Sequence, residues 1–248
     1  MAERSDEAGP SPSGSSELRQ RAAALLKQQS CFADCAMPVI EEMTARAIIT
    51  RLAKGETLYR HGDPGDRMTI VLSGSLKVVN ITGDAREVVL AFLGAGALIG
   101  EIAVLDGHAR TASVVAMETV ESVTILRRDL IPILRANPDA MMALLQAMCG
   151  RLRTTIALVE SYSLETEARI AAGLVRLASQ HGRDKGGEIT IGLKMSQRDL
   201  GNHLGLTRET ISRSLGDLKA RGVIEMRGQS IVITDSEGLG AIAEGLGD

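Results

Sequence analysis

The feature that most constrains this chain is a change of hydrophobic period part-way along it. Between Arg51 and Arg127, short apolar runs (MTIVLSG, SLKVVNI, REVVLAFL, ASVVAMETVESVTIL) are punctuated by glycines at 55, 62, 65, 74, 83, 94, 96, 100 and 107. Strand-length runs with turn glycines at close intervals specify an all-β roll or barrel. From Asp129 onward the period is helical. Met141, Leu145, Met148, Leu152, Thr155, Val159 and Tyr162 alternate steps of four and three, the spacing of a coiled-coil seam. A stripe that narrow, on a helix predicted over residues 139–162, predicts pairing with a second copy of the chain as a homodimer.

Residues 1–16 are polar and rich in Ser, Gly and Pro, which predicts a disordered lead-in. Leu18, Ala22 and Leu25 then have helical spacing, and a second short helix is expected over Ile40 to Ile48. The first domain is therefore expected over residues 17–138. Aromatic residues make up 2% of the chain, so Leu, Ile, Val, Ala and Met must build its cores. No apolar run reaches the roughly 18 residues that cross a bilayer, and no secretory signal is visible, so no membrane partner and a cytoplasmic location are expected. Cys31, Cys35 and Cys149 form no disulfide framework. Cys31 and Cys35 are too few to ligate an iron–sulfur cluster and read as ordinary thiols.

The C-terminal part is basic against an acidic body. From Lys194 to Ile233, Lys194, Arg198, Arg208, Arg213, Lys219, Arg221 and Arg227 oppose Asp199, Glu209, Asp217 and Glu225. That leaves +3 there and −6 on the remainder of a chain whose net charge is −3, a distribution suited to a polyanion at one end. Ser196-Gln197-Arg198-Asp199 is a capping-box variant. Its helix carries Leu200 and Leu204 and stops at Gly205. Thr207 caps a second helix with Ile211, Leu215 and Leu218, and two alternating runs around Arg227-Gly228-Gln229 form a hairpin. This is a winged helix-turn-helix. A hinge over Ser163 to Thr166 separates it, as a DNA-binding domain over 167–248, from the long helix. Arg208, Glu209 and Arg213 point from the first turns of the second helix toward base edges. An Arg–Glu–Arg set predicts a G·C-containing half-site in double-stranded DNA. Arg198, Thr207, Thr210 and Ser212 complete the expected DNA-binding set.

The stretch from Leu98 to Ala112 carries the ligand chemistry. Gly100 lets the backbone approach an anion. Arg110 offers a permanent charge and a planar fork for phosphate oxygens, and Thr111 a hydroxyl. Glu101 cannot bind phosphate and suits a sugar hydroxyl. Together they describe a nucleotide pocket. His61, His108, His181 and His203 are scattered and read as surface or packing residues, and no metal-ligand cluster supports an enzyme such as a phosphodiesterase.

This stretch resembles the phosphate-binding cassette of cyclic-nucleotide-binding domains. From Leu25 to Asp235 the chain resembles the cyclic-AMP receptor and fumarate-nitrate regulator family of transcription regulators. The motifs carrying the resemblance are Gly55, Gly62-Asp63-Pro64-Gly65-Asp66, Gly74, the cassette, the long helix, and Thr207-Arg208-Glu209-Thr210 with Arg213. The resemblance implies an α+β chain: a cyclic-nucleotide-binding β-roll (jelly-roll), a dimerisation helix and a winged helix-turn-helix. By the same resemblance Glu101 binds the ribose 2′-hydroxyl, and Arg110 and Thr111 bind the cyclic phosphate. Gly100, Ile102, Ala103 and Ala112 line the cassette, and Leu90 and Val114 form an apolar wall. Thr155 meets the base, with Arg151 one turn before it. Ile156 departs from the small polar residue usual after that threonine. Thr directly after the cassette arginine favours guanine in eukaryotic domains, so cyclic GMP stays open beside cyclic AMP. A palindromic promoter site with TGTGA-like halves and RNA polymerase are the implied further partners. A different effector, or a regulatory subunit without DNA binding, are the rival readings.

Overall fold

The structure, a computed structural model, describes residues 12–29 and 32–245. The part of the expected lead-in before Pro12, and Cys31, lie outside the described residues. Helix α1 (Pro12–Gln28) begins five residues before the expected Glu17, and α2 (Met37–Ala45) follows. Strands β1 (Ile48–Leu52), β2 (Thr57–Tyr59), β3 (Arg67–Ser73), β4 (Leu76–Ile81), β5 (Glu87–Leu93) and β6 (Leu98–Ile99) precede helix α3 (Glu101–Asp106). Strands β7 (Ser113–Ala116) and β8 (Val120–Leu126) complete the roll. Its two antiparallel sheets have the orders β1-β8-β3-β6 and β2-β7-β4-β5.

Each sheet is buried on both faces, and each outer face has its own cover. Tyr59, Val71, Leu76, Leu93, Ile99, Val114, Ala116 and Val120 fill the space between the sheets. Met68, Ile70 and Leu72 alternate with Val71 along β3 and point outward, against Ala22, Leu26, Ile40 and Met43 of α1 and α2. Two-sided burial explains why MTIVL is a continuous apolar run rather than an alternating one. Thr69 is the polar exception. Its hydroxyl meets Tyr59 Oη at 2.6 Å and Thr124 Oγ1 at 2.7 Å, so the buried group is satisfied. Helix α4 (Arg127–Ala136) adds Leu130 and Leu134 to the same layer. Pro138 opens α5 (Pro138–Ser161), where its fixed φ suits a first helical turn.

The C-terminal domain begins with α6 (Thr166–His181). The expected loop from Gly182 to Gly187 is instead strand β9 (Gly182–Lys185), which turns into β10 (Glu188–Ile191). The turn is Gly186-Gly187, with φ of 70° and 89°, the left-handed pair that a tight hairpin needs. Helices α7 (Gln197–Leu204) and α8 (Arg208–Ala220) form the helix-turn-helix. The capping box of Ser196 and Asp199 is present in both directions, and Gly205 ends α7 in the left-handed conformation. Strands β11 (Ile224–Arg227) and β12 (Ser230–Ile233) form the wing in a sheet of order β11-β12-β10-β9. Helix α9 (Ser236–Ala243), not anticipated from the sequence, closes the domain with Leu239 and Ile242.

This domain covers the outer face of the second sheet. Val79, Val89 and Phe92 share one apolar cluster with Leu200, Leu204 and Ile211. At its edge, Lys77 Nζ donates to Asp199 Oδ1 (2.8 Å) and Glu87 Oε1 (2.7 Å). The same Asp199 closes the capping box through its other oxygen. Burial raises the Asp199 carboxyl, but the bonds from Lys77 and Ser196 outweigh it and hold the pKa below the usual range. His203 Nδ1 donates to the Val89 carbonyl (2.9 Å). Burial pushes its imidazole down to about 4. The Val89 bond opposes that shift, and the charges of Arg176 and His181 add to it.

A depressed histidine pKa favours the docked, neutral form above the ordinary value and loses it as pH falls toward 4. Lowering pH from about 7.5 to about 5 should weaken docking by roughly 2 kcal/mol, read as faster hydrogen exchange in α7 and β5. His203→Gln should flatten that dependence. Lys77→Ala should loosen the same elements by about 1–3 kcal/mol at neutral pH, and unchanged exchange there would refute the assigned lock.

Candidate functional site

The cassette is positioned by close backbone approach. Gly100 caps α3 with φ 87°, and a Cβ there would lie 2.2 Å from Arg110 Nη1. Gly65 meets the cassette from the other side, with room for no side chain against His108 O and Ala103. The Gly62–Asp66 turn is tied on by bonds from Gly62 N to Arg110 O (2.9 Å) and from Arg110 N to Asp63 O (2.8 Å).

Both charged cassette residues are turned inward. Arg110 is 4% exposed and Glu101 3%. Arg110 donates from Nη1 to Gly100 O (3.0 Å) and from Nη2 to Arg67 O (2.6 Å), and its guanidinium lies 3.7 Å over the Tyr59 ring. Its Nε has no partner among the described residues. Glu101 Oε1 accepts from Arg151 Nη1, and Arg151 Nη2 donates to Leu98 O (2.7 Å). Glu101 Oε2 is buried and unpartnered. Arg151, one turn before Thr155, thus ties the long helix to the cassette.

The remaining candidates are scattered in exposure. Ala103, Ala112 and Val114 are buried, and Ile102 and Thr111 are exposed. Leu90 is 42% exposed because β5 bulges there: Val78 faces Ala91 and Val79 faces Val89, leaving Leu90 unpaired. Val114, by contrast, belongs to the core between the sheets. Thr155 Oγ1 donates back to Arg151 O (3.0 Å).

The exposed apolar face of α5 overlaps the expected stripe without coinciding with it. It consists of Met142, Leu145, Cys149, Leu152, Ile156 and Val159. Met141 instead packs beside Leu144 and Ala140 against the roll. The roll's claim on Ala140, Ala143 and Leu144 draws Met141 in with them. Leu145, Leu152 and Val159 are common to both, and Thr155 and Tyr162 of the expected stripe are exposed as well. Ile156, odd as a ligand contact, fits as part of an apolar stripe.

On the DNA side, Arg208, Glu209, Ser212 and Arg213 line one shallow exposed depression at the start of α8. Thr207 Oγ1 accepts from Thr210 N (3.2 Å) and touches Thr210 Oγ1 (3.0 Å), so both hydroxyls serve the helix cap. Arg198 is exposed on α7. Arg169, which the sequence did not single out, donates from Nη2 to the carbonyls of Tyr162 (2.7 Å) and Leu164 (2.9 Å) at the link between the domains. No group of three or more metal-ligating side chains occurs among the described residues, and no described helix is long and apolar enough to cross a membrane.

A β-roll with this cassette, joined through a long helix to a winged helix-turn-helix, defines a DNA-binding transcription regulator. Residues 49–137 match the cyclic nucleotide-binding domain family and residues 168–242 the Crp-like helix-turn-helix domain family. The chain is 29% identical over 216 residues to the CRP-like cAMP-activated global transcriptional regulator of Mycobacterium tuberculosis, covering 87% of this chain and 96% of that one. It is 30% identical to the fumarate and nitrate reduction regulatory protein of Salmonella typhimurium, covering 77% of each. The fold is shared with FixK2 from Bradyrhizobium japonicum (TM-score 0.71, 22% identity, 79% of this chain and 96% of that one). The chain belongs to the CRP/FNR family of transcription regulators.

Gly100→Ala should place a Cβ in the left-handed region and against the Arg110 guanidinium. A destabilisation of about 1–3 kcal/mol is expected, measured by urea denaturation. Gly83→Ala, where a Cβ meets nothing within 4 Å, is the matched control.

Proposed function

We propose that the chain is a cyclic-nucleotide-responsive regulator that binds a palindromic promoter site as a homodimer. The observation that carries this reading is the pairing of two unfinished buried groups, Glu101 Oε2 and Arg110 Nε, in one cassette. Buried polar atoms are normally satisfied. A sugar hydroxyl donating to Glu101 and a cyclic phosphate meeting Arg110 and the Thr111 hydroxyl would complete both, so the residues fit the ligand.

Arg151 links filling the cassette to the long helix, because it already holds Glu101. Thr155, one turn further, is the assigned base contact. Rearrangement of α5 is transmitted across the Arg169-braced link to α7 and its dock on β5, and so to the spacing of two α8 helices. A family dimer sets these about 34 Å apart on successive major grooves. The exposed apolar stripe of α5 supports pairing with a second copy. The Arg208–Glu209–Arg213 set supports TGTGA-like half-sites, with RNA polymerase as the further partner. Relatives whose names call them cAMP-activated support cyclic AMP, and Arg110-Thr111 keeps cyclic GMP in the comparison. A different effector is the second reading, favoured by the match to the fumarate and nitrate regulator.

Calorimetry with both cyclic nucleotides tests the proposal. Arg110→Leu should weaken binding about 100-fold or more, and heat from neither nucleotide would favour the second reading. Glu209→Ala should cost about 1–3 kcal/mol of discrimination at a single base pair in a gel-shift series, with ligand affinity unchanged.

A further inference from the structure

A cavity of about 720 Å3 lies beside α5, on the flank away from Thr155. Successive helical residues turn by about 100°. This puts Thr155 on one side of the roll-facing stripe of Ala140, Leu144 and Leu158, and Gly150, Arg153 and Thr154 on the other. The stretch from Ala91 to Leu98, α5, and the end of α6 at Gln180 and His181 wall the cavity, and Gln29, just after α1, adds to the lining.

Its chemistry is one-sided. Arg153 brings a guanidinium group, Arg151 one already paired with Glu101, and Gln29, Gln146 and Gln180 bring amides. No carboxylate lies among the described lining residues. Arg153 makes no salt bridge among the described residues. His181 lines the cavity, and its Nε2 is buried without a hydrogen-bond partner among the described residues. Small residues are frequent in the lining (Ala91, Ala95, Ala97, Ala147), and a Cβ on Gly150 would meet nothing within 4 Å. A volume in the range of small-molecule sites, lined by the Arg153 guanidinium and amide donors, suits a hydroxylated organic anion.

We propose that this three-way junction is a second effector site, separate from the cassette, for a small organic anion carrying a phosphate or carboxylate group together with hydroxyls. Arg151 borders both sites, since it lines the cavity and donates to Glu101. Because the walls come from both domains, occupancy favours the docked arrangement over its release.

Calorimetry on the full chain with ribose 5-phosphate and with citrate tests it, and the two probes separate a phosphate source from a carboxylate source. One molecule of at least one probe should bind per chain. Gly150→Leu, which fills open space in the cavity, and Arg153→Glu, on an exposed position, should each weaken it about tenfold or more. Arg110→Leu should leave it unchanged. No heat from either probe would overturn the proposal. So would binding that survives both cavity variants or disappears with Arg110→Leu, since the anion would then occupy the cassette.

Discussion

The contact between Arg151 and the buried carboxylate of Glu101 is the joint on which this molecule is organised. A carboxylate 3% exposed is tolerable only when a cation or donors reach it. Here the cation comes from the long helix, not from the roll. The same guanidinium holds the Leu98 carbonyl at the entrance to the cassette. Anything that competes for Glu101 therefore acts on α5 directly, without an intervening relay.

A second constraint comes from the layer structure. The roll has two outer faces to bury. Helices of its own domain cover one, and the DNA-binding domain covers the other. The Lys77–Asp199–Glu87 cluster and the His203–Val89 bond fix the position of the second cover. Polar contacts of this kind give the dock a defined register, and they leave Arg208, Glu209 and Arg213 exposed. The dock thus sets where the start of α8 points without covering these three side chains. Asp199 serves both the start of α7 and its attachment to the roll, so local helix chemistry and domain arrangement share one side chain.

Much of this was legible in the residues. The capping box at Ser196, the left-handed stop at Gly205 and the Thr207 cap are local signals, and each has the geometry its spacing demands. The Gly186-Gly187 hairpin was equally local, but its first strand, Gly182–Lys185, carries no apolar residue to mark it. On α5, heptad counting cannot tell which apolar residues the roll will take. Met141 and Leu145 look alike in a list, and only packing assigns them to different faces. The β5 bulge at Leu90 is likewise set by strand register, which no run of apolar residues announces.

The sequence by itself determined the elements and the chemical inventory: a glycine-punctuated roll, a long apolar-striped helix, a winged helix-turn-helix, and a glycine–glutamate–arginine–threonine cassette. These follow from period, turn residues and side-chain type, which act over a few neighbouring positions. Only the tertiary structure decided that Arg110 folds onto carbonyls and Tyr59, that Arg151 takes Glu101, and that Lys77 meets Asp199 122 residues away. Such pairings depend on how low-dielectric packing brings distant charges together, and no local pattern encodes which partner a buried charge will find.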